Sequence, residues 1–123
     1  MKIIISNASP TPIYEQIKNS IVEQIRSEEL REDEALPSIR NLAQDIRVSV
    51  LTVKKAYDEL ESEGYIISIQ GKGTFVAPKS SSLVEENARM DIESYIEKAI
   101  DLAKRFAIDK KTLLELIDLL YGE

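Results

Sequence analysis

The chain has 123 residues, 43% of them hydrophobic, and carries 16 Lys and Arg against 22 Asp and Glu, a formal net charge of −6. It contains neither Cys nor His, which excludes disulfides, thiolate nucleophiles, imidazole acid–base chemistry and the common structural zinc sites, so neither an enzyme nor a cofactor is expected. The length accommodates one compact domain, or a small domain with an extension that leans on a partner.

No apolar run approaches the roughly 20 residues of a membrane span, and the opening "MKIIISNASP" breaks after three isoleucines, too soon for a signal peptide. A cytoplasmic protein with no membrane contact is the expectation. In chain order, Ile13, Ile17, Ile21 and Ile25 recur every fourth residue, with Tyr14 and Val22 beside them, and predict an amphipathic helix. Thr11 is its candidate cap and Pro12 suits its first position. The acidic stretch Glu28 to Glu34 reads as a solvent-facing loop, followed by at most a short strand at Ala35–Leu36. A short second helix follows Ser38, with Ile39, Leu42, Ala43 and Ile46 on its buried face. Ser49 caps a third, which Gly64 stops near Glu63.

The period then changes from helix to strand. "YIISI" and "TFVA" flank "QGKG", a hairpin with a glycine turn. Three helices and a hairpin, in that order, predict a winged helix-turn-helix over residues 1–78, and "PKSSS" suggests a linker at 79–82. The remainder, 83–123, reads as a two-helix arm. Ala88, Ile92, Tyr95, Ala99, Leu102 and Phe106 form a coiled-coil type of seam widened by Ile96, and Asp109 caps a last helix bearing Leu113, Leu116, Ile117 and Leu120. That stripe is too wide for two helices to bury wholly against each other, so it marks a contact surface, and whether a second chain completes it stays open at this point. The fold class expected is mainly α with a small β-hairpin (α+β).

In a helix-turn-helix the second helix of the pair enters the major groove. On the third helix here Val53, Ala56, Tyr57 and Leu60 share a core face, which leaves Val50, Leu51, Lys54 and Lys55 outward in the opening turns. From Leu36 to Tyr57 four cations, Arg40, Arg47, Lys54 and Lys55, face the single acid Asp45, a local charge of +3. Screening over about 8 Å at physiological salt lets such a face act within an acidic chain. The competing reading is a winged helix used for protein–protein contact, its acidic loops meeting a basic partner.

Taken together, "PIYEQIKNSIVEQI", "LPSIRNLAQDIRVSVLTVKKAYDELESEGYI" and "GKGTFV" resemble the DNA-binding domain of GntR-family transcription regulators over nearly all of residues 10–77. The short tail looks like that of the YtrA-like branch, whose members end in two dimerising helices. The resemblance implies operator DNA contact by Arg40 of the "LPS-x-R" motif, by Ser49, Thr52 and Lys54 of the recognition helix, and by the wing-tip Gly71 with Lys72 beside it. Where many relatives have Arg, this chain has Val50 followed by Leu51, which suggests apolar contact with thymine methyls. Relatives commonly have glycine around Glu28 and in the "REDEAL" loop; here acids stand there. The implied protein is a homodimeric repressor on an inverted-repeat operator, associated with transporter genes. Two readings of the arm stay open: it only dimerises, or it also helps bind a small-molecule effector, for which no residue marks a pocket.

Overall fold

The computed structural model describes residues 1–79 and 81–122. The isoleucines spaced four apart form α1 (Ile13–Arg26), with Ile17 and Ile21 fully buried; each such side chain contributes about 1.5–3 kcal/mol of burial. Thr11 does not cap this helix. The cap position is Pro12, in an extended conformation with no side-chain bond. Gln16 does the tying instead. Its amide donates to the Ser6 and Thr11 carbonyls at 3.0 and 2.9 Å and accepts from the Ser6 N–H at 2.9 Å. The N-terminal segment is thereby held along α1, and its Ile3 and Ile5 pack against the core.

α2 (Ile39–Ile46) and α3 (Val50–Ser62) begin as expected. Ser38 Oγ accepts from the Asn41 N–H, and Ser49 Oγ from the Thr52 N–H, each at 3.1 Å. Between the helices Arg47 takes a left-handed conformation (φ 56°), and the Val48 N–H closes on the Ala43 carbonyl at 3.0 Å. This turn is what lets only three residues separate the two helices. Val53, Ala56, Tyr57 and Leu60 of α3 are buried against α1, α2 and the sheet, with Leu30, Leu36, Leu42, Ala43, Ile66 and Val76 completing the core.

The sheet has one more strand than a hairpin. β2 (Ile66–Ile69) and β3 (Gly73–Val76) pair antiparallel with Ile66 opposite Val76, and β1 (Ala35–Leu36) adds to the other edge of β3, with Leu36 opposite Thr74. The order β1-β3-β2 connects the strand before α2 to the hairpin after α3, a contact between segments far apart in sequence. The acidic loop is more than solvent-facing. The Lys79 ammonium pairs with the Glu28 carboxylate, and the Lys79 N–H bonds Glu32 Oε2 at 2.8 Å. Each member of the ion pair favours the charged form of the other, which lowers the pKa of Glu28 and raises that of Lys79.

α4 (Ser82–Arg105) and α5 (Lys110–Tyr121) follow. Of the expected linker 79–82, Ser80 lies outside the described residues and Ser82 is already helical. The chain divides into two compact units, Met1–Glu85 and Glu86–Glu123, between Glu85 and Glu86 of α4. In the second unit Ala107 turns the chain in a left-handed conformation (φ 53°), and the Ile108 N–H bonds the Ala103 carbonyl at 2.8 Å. Asp109 then caps α5, its Oδ1 accepting from the Thr112 N–H at 2.9 Å. Phe106 lies just past the end of α4 rather than within it. Ala103 is buried and Leu113 half-buried, but Ile92, Tyr95, Ile96, Ala99, Leu102, Phe106, Leu116, Ile117 and Leu120 are all exposed in the single chain.

Candidate nucleic-acid interface

The first turn of α3 presents apolar side chains to solvent: Val50 is 49% and Leu51 77% exposed. Propensity does not place them there; the buried face of α3, set by Val53, Ala56, Tyr57 and Leu60, leaves that side of the helix outward. Exposed aliphatic groups at a helix N-terminus suit the C5-methyl of thymine in the major groove. Ser49 Oγ and Thr52 Oγ1 are hydrogen-bonded at 2.7 Å, one hydroxyl donating to the other, so the two hold each other as well as the helix end.

The cations are arranged unequally. Lys54 is exposed and bonds Asp58 Oδ2 at 2.7 Å, one turn further along α3. The Lys55 ammonium sits 4.0 Å from the centre of the Tyr14 ring of α1. Arg40, in the first turn of α2, is exposed and makes no ion pair or hydrogen bond among the described residues. At the hairpin tip Gly71 has φ 80°, and a side chain there would meet nothing within 4 Å. Backbone conformation demands this glycine, and the open space around it leaves room for close approach to another molecule. Lys72 beside it is exposed, its N–H bonded to the Ile69 carbonyl at 2.9 Å.

One contact in this region, Lys55 on Tyr14, escapes a reading of the sequence. Tyr14 counts by periodicity as a core residue of α1, and nothing local pairs it with Lys55. Lys54 and Asp58 do stand at i and i+4, a spacing that announces an ion pair. Among the described residues no group of three or more His, Cys, Asp or Glu is arranged to hold a metal, and no helix is long and apolar enough to cross a membrane.

A three-helix core, a hairpin wing and an outward-facing helix with apolar and basic side chains in its opening turns define a winged helix-turn-helix DNA-binding protein. Residues 13–76 match the family described as bacterial regulatory proteins, gntR family. The chain belongs to that family; it is a transcription regulator, not an enzyme. Over 115 residues it is 34% identical to the HTH-type transcriptional repressor YtrA of Bacillus subtilis (strain 168), covering 94% of this chain and 88% of that protein. The crystal structure of a transcriptional antiterminator from Listeria monocytogenes EGD-e matches 99% of this chain and 91% of that one, with a TM-score of 0.67 at 33% identity. The AraR DNA-binding domain, crystallised with operator ORX1, matches 63% of this chain and 96% of that one, with a TM-score of 0.55 at 32% identity.

Proposed function

We propose that this chain is a cytoplasmic repressor that binds an inverted-repeat operator as a homodimer, with transporter genes among its targets. Residues 1–78 are the DNA-binding domain, 79–82 the linker and 83–123 the dimerisation arm. The observation that carries the reading is the exposed opening of α3, where Val50 and Leu51 face solvent beside Lys54 and Lys55 while the opposite face is core. Val50 and Leu51 contact thymine methyls, and Ser49 and Thr52 fix the register of the helix on the duplex. Arg40, Lys54, Lys55 and Lys72 neutralise phosphates or reach base edges, and Gly71 lets the wing approach the minor groove. The exposed apolar side chains of α4 and α5 support pairing of two arms. A two-fold dimer presents two such helices to symmetric half-sites, which is why the operator is palindromic. Occupying a promoter in this way blocks transcription.

The test is selection of random duplex DNA by the purified protein, followed by affinity measurements across salt concentrations. An enriched inverted repeat, bound with a steep inverse dependence on salt, supports the proposal. No enrichment at low salt refutes it.

A further inference from the structure

Lys54 and Lys55 are neighbours in sequence, each with a carboxylate four residues on, Asp58 and Glu59. Only the first of these pairs forms. Lys54 bonds Asp58 at 2.7 Å, so its charge is answered within α3. Glu59 is taken by α1 instead, where Lys18 Nζ approaches it at 3.3 Å and Glu63 at 2.5 Å. Lys55 has no carboxylate partner among the described residues. What holds it is the half-buried Tyr14, whose ring centre lies 4.0 Å from the ammonium. An aromatic face attracts a cation through its quadrupole without neutralising it, so Lys55 is located yet keeps its full charge. Tyr14 and Lys55, with Ile13, Leu51 and Thr52, line a surface depression of about 420 Å³ beside the exposed first turn of α3.

We infer that Tyr14 is a positioning residue for operator binding: its ring holds the Lys55 ammonium at this depression, where Lys55, rather than the acid-paired Lys54, neutralises a backbone phosphate. The inference rests on the DNA-binding proposal above. One face of the ammonium lies on the ring, and its outward N–H bonds are left for a phosphate oxygen. Helix α1 thus serves DNA binding without touching a base, by withdrawing Glu59 through Lys18 and supplying the ring.

The experiment measures operator affinity against salt for the wild type, Lys55→Ala, Lys54→Ala, Tyr14→Phe, Tyr14→Leu and the Tyr14→Leu/Lys55→Ala double variant. Tyr14→Leu fills the site without a π face, and Lys55 is exposed, so neither change threatens the fold. Lys55→Ala is expected to reduce the slope of log K against log salt by about one, weakening all duplexes alike, and Lys54→Ala to reduce it less. Tyr14→Leu, which changes no charge, lowers affinity roughly two- to fivefold while Tyr14→Phe retains it, and the loss vanishes when Lys55 is already alanine. A wild-type slope in Lys55→Ala, a Tyr14→Phe loss equal to that of Tyr14→Leu, or a Tyr14→Leu loss that persists without Lys55 overturns the inference alone. Absence of salt-dependent binding by the wild type overturns the DNA-binding proposal and the inference with it.

Discussion

The Tyr57 hydroxyl donates a hydrogen bond of 2.8 Å to the Pro37 carbonyl, fastening α3 to the segment that leads into α2. Tyr57 is only 3% exposed, and burial pushes its phenol above the usual range, so it remains a protonated donor at any physiological pH. Tyr57→Phe keeps the ring and leaves a carbonyl unpaired. A loss of about 1–2 kcal/mol is expected in urea unfolding, with the m-value unchanged.

If the outward face of α3 meets DNA as proposed, Asp58 opposes binding by pairing with Lys54. Asp58→Asn removes the carboxylate that answers this lysine and adds one unit of positive charge to the exposed face of α3. Affinity for unrelated duplexes should rise and their salt slope steepen by up to about one, which narrows the ratio of specific to non-specific binding. The pair is exposed at both ends, so the melting temperature should scarcely change. Competition binding with operator and random DNA measures both affinities.

Gly64 ends α3 with φ 86°, and a Cβ there would lie 2.4 Å from the Leu83 Cβ. Conformation and crowding therefore oppose any side chain. Gly64→Ala should destabilise by about 2–4 kcal/mol. Leu83→Ala in the same chain recovers only part of this, because the clashing Cβ remains. Thermal unfolding of the two variants checks both statements.

Asp33 offers the opposite sign. Its φ is 65° although it carries a side chain, and its N–H bonds the Val76 carbonyl at 2.9 Å. Asp33→Gly relaxes the left-handed backbone while keeping that bond. A gain of roughly 0.5–1 kcal/mol is expected in the same unfolding assay.

If the arm pairs two chains, its exposed apolar side chains are buried in solution. Leu102→Asp combined with Ile117→Asp should then shift the sedimenting species from twice the 13.9 kDa chain mass to the single chain. Operator affinity should fall with it, since the two half-sites no longer act together. A wild type that already sediments as one chain would refute the pairing.

Much of this architecture can be read in the sequence because it is local. Ile17 and Ile21 report the buried face of α1 by spacing, Ser38, Ser49 and Asp109 report helix starts by chemistry, and "QGKG" reports the wing turn. What stays hidden depends on distant residues. The contact of Lys55 with Tyr14, the Lys79 link to Glu28 and the pairing of the short strand Ala35–Leu36 with β3 exist only once the chain has folded. Thr11 misleads for a related reason: Pro12 holds the cap position, and Gln16, which bonds the Thr11 carbonyl, ties the N-terminal segment to α1 instead. The acids Glu28 and Asp33 occupy left-handed backbone in this fold (φ 64° and 65°), and sequence alone cannot show that.

The pairing of β1 with β3 has a geometric consequence. Leu36 lies opposite Thr74, and only Pro37 and Ser38 separate Leu36 from the start of α2. The base of the wing and the helix bearing Arg40 are therefore parts of one stiff body. A slip in hairpin register would drag Arg40 along, so contacts at these two places on a duplex are not independently adjustable. Residues inserted between Ile69 and Gly73, beyond the last rung of the ladder, lengthen the wing and leave the rest of the reading head undisturbed.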